Sequence, residues 1–91
     1  MTAKQTVIVN AAGVHARPAS NLVNAAKRFQ SKITIKNVSR PNTDPANAKS
    51  IMMVLTLAIA RGMTVEICAD GEDETDAVDT LIALVDSGLG E

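Results

Sequence analysis

Apolar and polar positions alternate in two stretches of the chain and recur at helical spacing in three others. KITIK, residues 32–36, puts Ile33 and Ile35 on one face, which predicts a half-buried strand. MTVEICA, residues 63–69, does the same, with Val65 and Ile67 inward and Thr64 and Glu66 outward. QTVIVN, residues 5–10, is short and β-branched and predicts a further strand, with Val7 and Val9 competing against Ile8 for its core side. From Pro18 to Phe29 the residues Ala19, Leu22, Val23, Ala26 and Phe29 mark one helix face. Pro18 suits the first turn, where a missing N–H costs nothing, and Lys27 and Arg28 suit the negative end. Ser50 is a natural N-cap for IMMVLTLAIARG, whose Ile51, Val54, Leu55 and Ala58 keep helical spacing up to a stop at Gly62. A short helix followed by an irregular turn is expected there. Val78, Leu81, Ile82 and Val85 give the face of a last helix. The carboxylates of DGEDE load its positive end, Gly88 ends it, and the tail beyond is expected to fray.

Between residues 37 and 48 the chain reads NVSRPNTDPANA, where Pro41 and Pro45 forbid a regular central strand. Any strand there is short and at an edge. The order is β-α-β-(β)-α-β-α, which predicts an α+β fold with helices on one face of a mostly antiparallel sheet. The 91 residues, without repeats or a linker, are read as one domain, 1–91.

Composition narrows the function. The apolar residues are nearly all aliphatic, and Phe29 is the single aromatic. Base stacking on aromatic platforms is therefore disfavoured, and a net charge of −1 gives little grip on a phosphate backbone. The charges are segregated: every Lys and Arg lies at or before Arg61, and every acid except Asp44 lies at or after Glu66. This describes either two solvated faces or a basic side that meets anions and acidic partners. Cys68 stands alone, so no intrachain disulfide forms, and it is expected half-buried on a strand. No apolar run is long enough to cross a bilayer, and the N-terminal segment lacks signal-peptide character, so a cytoplasmic protein is expected.

The one histidine sits in GVHARPAS, residues 13–20, where a loop turns into the first helix. First-turn amides have no acceptor within the helix and point outward, and such helix starts bind phosphate. The same positive end favours an uncharged, nucleophilic imidazole. Arg17 offers a planar fork to phosphoryl oxygens. A plain cap or surface histidine fits the same spacing. A metal site lacks a second histidine, and no spacing supports a Ser-His-Asp triad.

GVHARPAS resembles the active-site segment of the HPr family, the histidine-containing phosphocarriers of the phosphoenolpyruvate-dependent sugar phosphotransferase system. KSIMMVLTLAIARG resembles that family's regulatory-serine segment, and ADGEDETDAVDTLIALV its last turn and helix. The resemblance implies an open-faced β-sandwich, with a four-stranded antiparallel sheet covered on one face by three helices. It implies that His15 takes a phosphoryl group on Nδ1 from phosphorylated enzyme I and passes it to enzyme IIA, with Arg17 stabilising the phosphate. It implies a carrier with no cofactor and no catalytic turnover of its own; a monomer is expected, although the sequence does not decide between monomer and dimer. Ser50 matches the serine that a dedicated kinase phosphorylates in some bacteria. Ala16, Ile51, Met52 and Leu55 match the partner-binding surface, and Arg17, Lys27 and Lys49 would rim it and attract acidic partners. The segment 36–48 looks about four residues longer than the family's third-strand region. Two other readings remain open. One is a regulatory binding module, in which phosphorylated Ser50 docks a transcriptional regulator. The other is a ferredoxin-like small-ligand domain with His15 as a mere cap.

Overall fold

A computed structural model describes residues 1–40 and 42–90. The described elements are β1 (Thr2–Val7), α1 (Ala16–Ala26), β2 (Lys32–Asn37), β3 (Ala46–Asn47), α2 (Ile51–Leu55), β4 (Thr64–Asp70) and α3 (Glu74–Asp86). The four strands form one antiparallel sheet in the order β1-β4-β2-β3, with three helices. The expected architecture is therefore present.

The two alternating segments form the central strands. Ile33 and Ile35 of β2 and Val65, Ile67 and Ala69 of β4 are buried, and Ile35 pairs directly with Ile67. Ala19, Leu22, Val23 and Ala26 of α1 join them, with Ala77, Val78, Leu81 and Val85 of α3. Full burial of an aliphatic side chain contributes about 1.5–3 kcal/mol, so this aliphatic core is the main driving force despite the near absence of aromatics. Cys68 is a free, half-buried thiol on β4.

β1 departs from the sequence reading. It begins at Thr2, and its helix-side residues are Thr2, Lys4 and Thr6, which pair with Ala69, Ile67 and Val65 of β4. All three are polar, and each meets an acid of α3. The Thr2 hydroxyl donates to Glu74 at 2.6 Å, Lys4 Nζ lies 2.6 Å from Asp79, and Thr6 donates to Asp86. The apolar anchor is Ile8, one residue past the strand, while Val7 and Val9 are exposed. Periodicity could not choose the core side because this edge strand is held through polar pairs.

α1 starts two residues before Pro18 and ends at Ala26, so Lys27 and Arg28 fall beyond its last turn and Phe29 is half-buried outside it. The chain then tightens through Arg28→Ala25 and Phe29→Ala26 amide-to-carbonyl bonds of 3.2 Å each. Asp73, the N-cap of α3, accepts from the amides of Gln30 and Ser31 at 2.8 and 2.9 Å and from the Ser31 hydroxyl. These bonds, the Ser31 hydroxyl first, hold the Asp73 carboxyl below its usual range. The N-terminal ammonium, 2.9 Å away, and then Thr2 lower the neighbouring Glu74 to about 2.

β3 is short and at the edge, directly after Pro45, as expected. Pro41 lies outside the described residues. α2 is one short helix; Ala58 then takes a left-handed φ of 50°. Gly62 sits in a later turn with φ 87° and does not end the helix. Inward positions are Val54, Leu57 and Ile59, whereas Ile51, Leu55 and Ala58 face solvent. The helical spacing failed there because the chain unwinds after Leu55.

The tail corrects another expectation. Gly88 does end α3, with φ 92°, but Leu89 folds back. Its amide donates to Leu84 O at 2.9 Å and that of Gly88 to Val85 O at 3.0 Å, the Schellman pairing. Leu89 is fully buried, and Asn21 Nδ2 donates to its carbonyl at 2.8 Å.

Candidate functional site

His15 is the N-cap of α1. Its backbone is extended (φ −113°, ψ −175°), and its carbonyl accepts from the Ala19 amide at 2.7 Å. Its side chain makes no capping hydrogen bond and is exposed. An imidazole therefore stands at the positive end of an 11-residue helix whose first turn carries no acid. Ala16 and Arg17 are exposed beside it, and Pro18 is buried. The Ala16 amide is the first of the helix, so the orphan donors of the α1 start and the Arg17 side chain follow His15 directly in the chain.

The loop before His15 is pinned from behind. Gly13 has φ 66°, and a Cβ there would come within 2.6 Å of Ile59 O and 2.9 Å of Ala60 Cα. Only glycine fits this left-handed, close-packed position. The Val14 amide donates to Ile59 O at 3.0 Å, and the Val14 side chain is buried. Asn10 closes the loop: its carbonyl accepts from Gly13 N at 3.1 Å, and its Nδ2 donates to Gly13 O at 2.6 Å. His15 is thus exposed directly after two anchored residues, Gly13 and Val14.

α2 packs against α1 and runs back along it. Its entrance lies at the far end of α1, where Lys49 Nζ donates to Phe29 O at 2.7 Å. The segment that leaves it, Ile59–Ala60, lies against Gly13 at the near end. Ser50 is the half-buried N-cap of α2, and its hydroxyl accepts from Met53 N at 3.4 Å. Ser50 and His15 therefore belong to opposite ends of the α1–α2 pair. Lys27 follows the last residue of α1, about 16 Å along the axis from Ala16 at 1.5 Å per residue. The candidate cations bracket the pair: Arg17 at one end, Lys27 and Lys49 at the other. Lys49 is half-buried and engaged with a carbonyl, so it is less available to a partner than its sequence position implied.

On α2, Ile51 is 38% exposed, Met52 77% and Leu55 41%, too open for ordinary core positions. Met53, at 45%, extends the patch. It had not been singled out, although the Met52–Met53 doublet was its signal. Asn10 had not been singled out either; an Asn three residues before a Gly is a turn signal. A concavity of about 280 Å³ between residues 43–46 and α2 is lined by Asp44, Met53 and Thr56 among others, and by neither His15 nor Arg17.

Residues 2–87 match the family model described as the PTS HPr component phosphorylation site. The chain is 41% identical over 85 residues to the phosphocarrier protein HPr of Haemophilus influenzae, covering 93% of this chain and 95% of that one. It is 42% identical over 84 residues to the multiphosphoryl transfer protein of the same organism, matching 92% of its own length but only 17% of that longer protein. The structure superposes on HPr-C-His from Thermoanaerobacter tengcongensis with a TM-score of 0.91 and 36% identity, covering 100% of this chain and 98% of that one.

Proposed function

Because the chain belongs to the HPr family, the phosphocarriers of the phosphotransferase system, we propose that it carries the phosphoryl group on His15, receiving it from phosphorylated enzyme I and delivering it to an enzyme IIA component. A member of this family carries phosphate and is not a catalytic enzyme; no cofactor is required. The observation that carries the assignment to His15 is an exposed, non-capping imidazole at the positive end of α1.

The Nδ1 lone pair of the neutral ring attacks phosphorus as the phosphorus–nitrogen bond to the donor histidine breaks, and that bond's electron pair returns to the donor nitrogen. Nε2 keeps its proton throughout. The end of α1 and Arg17 face the phosphoryl oxygens and lower the cost of the dianion. Delivery repeats the exchange with the carrier as donor. Exposure suits this role, because the ring must enter two different partner sites in turn.

The apolar α2 surface, Ile51, Met52, Met53 and Leu55, is the proposed docking surface. Flexible methionines repack against unlike partners, and Arg17 and Lys27 steer acidic ones. The carrier works as a monomeric single domain in the cytoplasm; among the described residues no helix is long and apolar enough to cross a membrane. Phosphorylation of Ser50 by a serine kinase is the proposed regulatory step. A dianion at the N-cap is compatible with α2, so it would alter the docking surface, or recruit a transcriptional regulator, without unfolding the helix.

The test is incubation with enzyme I and phosphoenolpyruvate, read by intact mass. Wild type is expected to gain one acid-labile phosphoryl group and His15→Ala none; a labile group on His15→Ala removes the site.

A further inference from the structure

We propose that Asn10 is a positioning residue for phosphoryl acceptance, setting the place of His15 through the carbonyl of Gly13. The proposal rests on His15 being the acceptor.

Asn10 is a buried polar side chain, 7% exposed, in a loop otherwise built from alanines and a glycine. Its amide nitrogen donates to Gly13 O at 2.6 Å. The orientation follows from the partner: a carbonyl oxygen only accepts, so the NH2 group must face it. The Gly13 amide returns a bond to Asn10 O at 3.1 Å, so one residue grips both polar groups of Gly13. Gly13 in turn abuts Ile59 O and Ala60, and Val14 is tied to Ile59. Two residues after Gly13 the chain reaches the imidazole. The direction of the Gly13–Val14 peptide thus sets where the His15 Cα enters the first turn of α1.

The other half of the Asn10 amide makes stability a poor reason for the residue. Oδ1 is buried and has no hydrogen-bond partner among the described residues. A buried, unsatisfied acceptor is costly. Alanine at this position would lose the bond to Gly13 O but would also remove that orphan. The two effects oppose each other in stability. They do not oppose each other in geometry, since alanine leaves the Gly13 carbonyl unheld. A positioning role therefore separates rate from stability, which a merely structural role would not do.

The experiment is single-turnover transfer from phosphorylated enzyme I to wild type, Asn10→Ala and Asn10→Val, with half-saturation and thermal unfolding measured on the same samples. Asn10→Val has neither donor nor acceptor and fills most of the space the amide leaves, so it serves if the alanine variant folds poorly. The saturating rate is expected to fall about tenfold to a hundredfold in both, as small misplacements of reacting groups do. Half-saturation is expected to stay within about twofold, because α2 is untouched. An unchanged saturating rate in a folded variant, with wild type active, overturns the proposal alone. So does a loss of rate that merely tracks the unfolded fraction. A wild type that takes no phosphoryl group on His15 overturns the proposal and the carrier reading together.

Discussion

Val14 is joined to Ile59 through the backbone, amide to carbonyl at 3.0 Å, and both side chains are buried. This bond fastens the loop that presents His15 to the segment leaving α2. The loop that carries His15 and the segment that follows α2 are therefore parts of one packed unit.

Gly13→Ala tests that unit. The substitution forces a side chain into φ 66° and drives its Cβ to 2.6 Å from Ile59 O, a backbone atom with little room to retreat. The left-handed conformation alone costs about 1–2 kcal/mol. Lower denaturant midpoints and slower phosphoryl acceptance are expected together. A variant as stable and as fast as wild type would show that the contact is not required.

Asp73 makes stability acid-sensitive. Its folded carboxyl lies below the ordinary value of 3.8, because the charged form accepts from Ser31 and Gln30. A lowered folded value contributes stability above 3.8, and that contribution is lost as pH falls through it. Asp73→Asn should therefore be less stable than wild type at neutral pH, with the gap closing below pH 3.8. Glu74, lowered from 4.5 to about 2, retains its own acid limb in that variant. Urea midpoints across this range check it; a gap that stays constant contradicts it.

Ser50→Ala removes the cap of α2. Caps are worth about 0.5–2 kcal/mol, and the 3.4 Å bond to Met53 N places this one at the low end. Ser50→Asp keeps an acceptor and adds charge, so stability should hold while binding to enzyme I weakens. Calorimetric titration of both variants measures this, and unchanged affinity for Ser50→Asp would remove Ser50 from the docking surface.

Leu89→Ala tests the anchored tail. Leu89 is fully buried, and truncating a buried leucine costs about 2–5 kcal/mol. A loss below about 0.5 kcal/mol, the size of an ordinary surface substitution, would mean that the tail is not docked in solution.

The sequence was most legible where one face is buried. β2, β4, the apolar face of α3 and that of α1 as far as Ala26 read correctly from period alone, because Ile33, Val65, Leu22 and Leu81 have a single place to go. β1 was ambiguous because its helix side is Thr2, Lys4 and Thr6, anchored by acids distant in sequence. After Ser50 the short helix and the irregular turn are as expected, but the inward positions beyond Leu55 are Leu57 and Ile59 and not Ala58, because the chain leaves the helix and re-enters the core in another geometry. The fraying expected after Gly88 overlooked Leu89, whose burial depends on a back-turn and on Asn21. At the site, the GVHARPAS string exposed His15 and its helix start. The grip of Asn10 on Gly13 and the engagement of Lys49 with Phe29 depend on where loops close in space, and spacing does not encode that.

The account stands on the place where the phosphoryl group lands. Nitrogen-15 and phosphorus-31 spectra of the labelled protein, recorded at mildly alkaline pH after exposure to enzyme I and phosphoenolpyruvate, locate it directly. The expected result is phosphorus coupled to Nδ1 of His15, with the amide of Ala16 shifted and that of Met53, beside Ser50, nearly unmoved. Phosphorus bound to oxygen at Ser50, or an unmodified His15 ring in a protein that has taken up phosphate, would contradict it.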